Sequence, residues 1–239
     1  AGTTLAVLGA NGSGKSTFVK MMLNLLRPLS GGVNWPSGRP REIGYLAQMT
    51  DWPDFALATL VFHETVPGHH LESALTAERS NLPLIRQMVW NVAYGEGWAV
   101  YGEILAHDAG LYADDPLGRI GFLQSLLFRA ARLVADTGIH RDQWTRQEAI
   151  DYLVETTGQS PESMAQEVDR YAVWPGQAAA YWVGARKIMD LRERSRRVLG
   201  PDFDLAEFHD VILERGPRPL ALLEEDVERW YISKLDPDN

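Results

Sequence analysis

The chain has 239 residues, enough for one large domain or two small ones, and a hydrophobic content of 45% supports a packed core. Its formal charge of −9 argues against nucleic-acid binding through a basic surface, and the absence of cysteine excludes disulfides and thiolate metal sites, leaving His, Asp and Glu as ligands. No apolar run reaches the ~18 residues that a membrane-spanning helix needs, and no basic-then-apolar leader is evident, so a cytoplasmic location is the expectation.

Character changes near residue 55. Up to Phe55 there are five Lys/Arg against three Asp/Glu; the remainder holds eighteen against twenty-nine. The first stretch predicts an apolar strand over 4–8, a glycine-rich loop, an amphipathic helix over 15–26, a turn-rich run, and a second short strand in "EIGYLAQ". Gly9, Asn11, Gly12, Gly14, Lys15, Ser16 and Thr17 spell out G-x-x-x-x-G-K-[ST]. Glycines let backbone N–H groups curl around phosphate oxygens, Lys15 adds charge at the outer phosphates, and Ser16 is placed to hold Mg²⁺. ATP with Mg²⁺ is therefore a candidate ligand.

"LAVLGANGSGKSTFVKMMLNLLRPLSGGV" with "IGYLAQ" resembles the start of an ABC-transporter ATPase, over about residues 3 to 50. The resemblance implies a nucleotide-facing role for Gln48. The Walker B carboxylates, the true signature and the switch histidine of that family have no counterpart here. Two strands without their core neighbours are marginal, so weak or absent ATP hydrolysis is expected.

After residue 55 the period turns helical. "LPLIRQMVWNVAYGEGWAVYGEILAHDAG" carries apolar residues at three-to-four spacing, and residues 117–135, 146–157, 161–171, 178–198, 204–214 and 220–231 read alike. Thr145 with Glu148 forms a capping-box pattern, and Ser160-Pro161 a helix start. Trp90, Trp98, Trp144, Trp174 and Trp182 read as core, "RERSRR" at 192–197 as a solvated face, and His107 and His209 as structural.

"HETVPGHHLE" nearly matches the zinc-peptidase pattern His-Glu-x-x-His. His63 and Glu64 are in place, but Pro67 occupies the second histidine's position. On an unbroken helix His63 and His70 would lie about 10.5 Å apart along the axis, whereas two nitrogens on one zinc lie within about 3.5 Å. A straight helix therefore fails. Pro67 removes a backbone donor and Gly68 accepts unusual angles, so a bulge can return His69 or His70 to His63. Glu64 then stands as the general base that takes a proton from water. Glu96 is the candidate third ligand, and Glu103, two helical turns on, a partner that orients a histidine.

"HETVPGHHLE", "EGWAVYGE", "ARLVADTGIH", "EVDRYAVWPGQAAAYWVG" and "FHDVILERGPRPLALLEEDV", in that order, resemble the bacterial family called domain of unknown function 885, over about residues 57 to 231. The resemblance implies a mainly helical, zincin-like metallopeptidase: Zn²⁺ on His63, Glu96 and one of His69 or His70, with His69 favoured, and Glu64 as base. It further implies that His140, Tyr171 and Tyr181 are oxyanion donors, that Asp136 orients His140, and that Arg170 pairs with a substrate carboxylate. The expected architecture is mainly α, a zincin-like helical bundle over 56–239 preceded by a truncated α/β P-loop fragment over 1–55. The expected partner is a peptide or small amide, with a nucleotide as the alternative and neither nucleic acid nor a membrane span; a hydrolase impaired by truncation, down to an inactive helical fragment, is the remaining alternative.

Overall fold

A computed structural model describes residues 54–79 and 81–235. The backbone divides into two units, Ala1–Thr50 and Asp51–Asn239, and the described residues all belong to the second. The phosphate-loop residues 9–17, Gln48 and the two expected strands lie outside them.

Among the described residues the fold is helical throughout, with no strand. A 3-10 turn, Asp54–Ala56, leads into α1 Leu57–Glu64, followed by α2 His69–Glu78, α3 Leu84–Met88, α4 Val92–Asp108 and α5 Pro116–His140. The chain continues through α6 Arg146–Thr157, α7 Pro161–Val173, α8 Gln177–Leu199, α9 Leu205–Leu213 and α10 Leu220–Leu235. None of the described helices is long and apolar enough to cross a membrane.

Local chemistry sets the boundaries. The Thr145 side chain accepts from the Glu148 N–H, and the Glu148 carboxylate accepts from the Thr145 N–H at 2.7 Å, the reciprocal pair that opens α6. Ser160 caps α7 with Pro161 next in line, and Asp115 does the same for α5 with Pro116. Gly158 ends α6 in the left-handed conformation at φ 67°, which a side chain resists. The long periodic stretch expected between 82 and 110 is two helices, not one. Val89 is extended, and the Asn91 side chain accepts from Tyr94 N–H and restarts the helix at Val92.

α4 is the axis of the fold: ten of its 17 residues are buried, so it meets protein on every side. Its closest neighbour is α8. A Cβ on Gly97 would stand 2.5 Å from backbone atoms of Gly184, and one on Gly184 would stand 1.8 Å from the Ala93 carbonyl oxygen. The two backbones touch because neither residue carries a side chain. On one side, Tyr94, Trp98 and Tyr101 of α4 pack with Ile188 and Leu191 of α8, Phe208 and Ile212 of α9, and Leu223 and Val227 of α10. On another, Phe128, Ala131 and Ala135 of α5 pack with Ile150 and Leu153 of α6, Met164, Val168 and Tyr171 of α7, and Ala178.

Two expectations are corrected here. Of the five tryptophans read as core only Trp98 is fully buried; Trp90 is 46% exposed and Trp174 54%. Both sit in turns between helices and so escape the interior faces that periodicity selects. The 192–197 run is a solvated face only in part: Glu193, Arg196 and Arg197 are exposed. Ser195 is buried, Arg192 reaches Asp108 of α4, and Arg194 pairs with Glu224 and Glu228 of α10. The last turns of α8 are clamped between two neighbours, which a charge count does not reveal.

Candidate metal centre

The break after α1 builds the site. The Thr65 N–H still bonds to the Val61 carbonyl at 2.8 Å; the chain then leaves the helix through Val66 and Pro67 and re-enters at His69. Gly68 packs so tightly under α1 that a Cβ there would lie 1.9 Å from the His63 carbonyl oxygen. Trp98 of α4 donates its indole N–H to the Pro67 carbonyl at 2.8 Å and ties the turn to the central helix. Gly102, one turn further along α4, keeps the same surface free for Gly68.

This fold-back places the two imidazoles edge to face with centroids 4.8 Å apart. Glu96 completes the group: its Oε2 lies 3.7 Å from His63 Nε2 and 3.2 Å from His69 Nε2. One ligand atom from each of His63, His69 and Glu96 falls within 4.8 Å of the others. His63 is buried and the other two are half-buried. His70, the alternative to His69, is exposed and outside this group, because the helix begins at His69 and turns the next side chain away. Glu64 follows His63 as the last residue of α1 and is half-buried.

The surrounding shell is polar and ordered. His63 Nδ1 bonds to Glu103 Oε1 at 2.8 Å; the Thr59 hydroxyl donates to the other carboxylate oxygen at 2.6 Å; and Arg129 approaches at 3.9 Å. When the ring is neutral, as a metal ligand must be, a carboxylate on Nδ1 fixes the tautomer that leaves Nε2 with its lone pair facing the group. Gln177, the first residue of α8, donates to Glu96 Oε1 and to the Tyr181 hydroxyl oxygen, each at 3.2 Å, and accepts from Arg170 at 2.7 Å. Arg170 thereby settles which end of the amide faces Glu96.

Electrostatics follow this geometry. Burial works to raise the carboxyl of Glu96, yet hydrogen bonds from His63 and His69 and their charge hold it far below the ordinary carboxylate range. Burial opposes Glu103 ionisation likewise, and His63 and Arg129 again outweigh it, so Glu103 is lowered. For His63, burial and then Arg129 work against the charged ring, but hydrogen bonds to Glu103 and Glu96 raise it on balance.

The remaining expected residues divide. Tyr181 stands close, its ring stacked on His63 at 6.1 Å and covered by the guanidinium groups of Arg129 and Arg132, each 4.5 Å from its centroid. Arg170 reaches the group through Gln177. His140 and Tyr171 engage each other instead: His140 Nε2 donates to the Tyr171 carbonyl at 3.0 Å and lies 3.4 Å from Asp136. Asp136 also accepts from the Gly176 N–H at 2.9 Å, which holds the turn that launches α8. The Tyr171 side chain is buried with Arg132 over its ring at 5.7 Å. Gln177, Thr59 and Arg129 escaped the sequence reading; Gln177 lies one residue before the helix expected over 178–198.

The donor set suits a divalent cation that accepts nitrogen and oxygen. Tetrahedral zinc with bonds of about 2.0–2.2 Å needs donors roughly 3.3–3.5 Å apart; the two histidine nitrogens lie 3.7 and 3.2 Å from Glu96 Oε2, and all three ligand atoms fall within 4.8 Å of one another. His63 presents Nε2 to the group, and His69 does the same, 3.2 Å from Glu96 Oε2.

A helical domain that gathers two histidines and a glutamate from three helices is the class this fold defines. The model of one family, "Bacterial protein of unknown function (DUF885)", matches residues 30–227, and the chain belongs to that family. The match begins upstream of Leu57, where the resemblance was expected to start. Among solved structures, a putative lipoprotein from Colwellia psychrerythraea is 47% identical with a TM-score of 0.76, over 79% of this chain and 32% of that one. A putative lipoprotein of unknown function from Shewanella oneidensis is 27% identical with a TM-score of 0.67, over 72% of this chain and 31% of that one. A short stretch is also similar to the zinc import ATP-binding protein ZnuC of Psychrobacter arcticus, 50% identical over 50 residues, or 21% of this chain and 20% of that protein. The chain thus spans about a third of the length of these solved structures and a fifth of the ATP-binding protein.

Proposed function

We propose that the chain is a zinc-dependent hydrolase of peptidase type. The observation that carries this reading is the convergence of His63, His69 and Glu96 within 4.8 Å, with Glu64 next to the first of them. A bound Zn²⁺ would supply Lewis acidity toward a substrate carbonyl and toward water. Glu64 is assigned as the base that accepts a proton from the attacking water at its carboxylate and later delivers it to the leaving nitrogen. Glu103 keeps the His63 ring in the required tautomer, and Gln177 occupies one oxygen of Glu96 so that the other faces the histidines.

Tyr181 is assigned as the oxyanion donor. Gln177 donates to its phenolic oxygen, which leaves the hydroxyl proton free to point at developing negative charge. His140 and Tyr171 are less suited, being engaged with each other's element. Arg170 acts through Gln177 as a positioning residue. A peptide or small amide is the substrate class that fits this reaction. The solved relatives described as lipoproteins favour the cell envelope over the cytoplasm as the place of action.

The test is metal analysis on the full chain after chelation and re-loading. About one zinc per chain is expected, lost in His63→Ala and Glu96→Ala. Glu64→Gln is expected to keep the zinc and lose peptide cleavage by at least about a hundredfold. Zinc-free protein, or zinc retained in both ligand variants, would rule the proposal out.

The similarity to ATP-binding proteins supports a second reading, nucleotide binding by residues 9–17 with Mg²⁺. Binding of ATP that disappears in Lys15→Ala and persists under a zinc-selective chelator would support it.

A further inference from the structure

Beside the candidate metal group lies an aromatic surface with no assigned role. Trp90 lies between the extended residues Val89 and Asn91 in the link before α4, and its ring stands 5.6 Å from the His69 ring, tilted by 54°. The same ring lies directly on Gly95, the residue before Glu96: a Cβ there would sit 2.4 Å from two of its atoms. Trp90 is thus wedged between the elements that carry two of the three candidate ligands, yet nearly half of it remains exposed. A tryptophan held in place on one face and open on the other, in contact with a ligand histidine, is a wall of the site.

Its surroundings share that character. Leu84, Ile85, Met88 and Val89, in and just after α3, are all more than half exposed. They precede Trp90 in the chain, and exposed apolar side chains of this kind are a surface on which a bound chain can lay its own.

We propose that Trp90 is a specificity-determining residue: it forms a subsite for an apolar or aromatic side chain of the substrate residue whose carbonyl lies at the His63–His69–Glu96 group. This inference rests on the hydrolase reading and names its substrate class, peptides with a bulky apolar residue at the cleaved bond. Stacking on an aromatic face together with the area it covers is expected to favour such a side chain over glycine by about tenfold in affinity.

The test uses the zinc-loaded full chain and two probes with the same metal-binding head, L-phenylalanine hydroxamate and glycine hydroxamate, titrated calorimetrically, with zinc content measured for each protein. The ratio of the two dissociation constants is the readout. Wild type is expected to prefer the phenylalanine probe about tenfold, and Trp90→Ala to reduce the ratio below threefold. Gly95→Ala, which keeps the tryptophan and displaces its ring, is expected to reduce it likewise. Absence of zinc from wild type overturns the hydrolase reading and this inference with it. Bound zinc with no preference in wild type, or with the preference intact in Trp90→Ala, overturns the subsite alone.

Discussion

Gln177 takes one oxygen of Glu96 and leaves the other to the histidines, and its own carbonyl is pinned by Arg170. Gln177→Leu keeps the volume and removes these bonds and the one to Tyr181. We expect zinc affinity to fall at least about tenfold, as for other residues that orient a ligand, in competition titration against a chromophoric chelator. His209 acts on stability instead. Burial, and then Arg192, push its imidazole down to about 4 from an ordinary 6.5, and Tyr101 bonds to its Nε2 at 2.8 Å. Between pH 6.5 and 4 the unfolded chain binds more protons at this residue than the folded one. Its contribution is therefore complete above pH 6.5 and is lost as pH falls toward 4. His209→Gln should flatten the fall of the urea midpoint across that window. At this scale the sequence reveals groups joined by local spacing, such as His63 with Glu64 and Glu96 with Glu103. It hides Gln177, Thr59 and Trp90, whose contacts are set by how separate helices meet.

At the level of elements, the meeting of α4 and α8 rests on Gly97 and Gly184. Gly184→Ala would drive a methyl into the Ala93 carbonyl and force the helices apart. A loss of at least about 2 kcal/mol is expected, measured by urea unfolding. Gly158→Ala, which strains only a left-handed turn, is expected to cost roughly 1 kcal/mol. Helix starts were the most legible part of the fold, because capping depends on neighbours: Thr145 with Glu148 and Ser160 with Pro161 both do as their order implies. The interruption at Val89 was not, since apolar residues continue through it and only the Asn91 cap marks the restart. The pairing of Arg192 and Arg194 was hidden for a related reason. Arginines that pair across an interface and arginines that face water read alike in one dimension.

At the largest scale, the three candidate ligands come from α1, α2 and α4, so an ion held by them adds a further tie between elements already joined by the bonds of Thr59 and His63 to Glu103. Binding to the folded state alone at a hundred times the dissociation constant stabilises by about 2.7 kcal/mol. The thermal midpoint should rise with added zinc, return on chelation, and respond in neither direction in His63→Ala. An unfolding curve indifferent to zinc in the wild-type chain would count against the whole proposal.

The turn at residues 65–68 also bears on how sites of this kind are found. A metal reads the distance between two nitrogens in space, and a chain that doubles back brings two imidazoles to 4.8 Å between centroids with five residues between the histidines instead of three. Any search that fixes the gap along the chain passes over such a protein. One that admits His-Glu-x-x-x-x-His, with glycine directly before the second histidine to make room for the first one's carbonyl, would retrieve it and others built the same way.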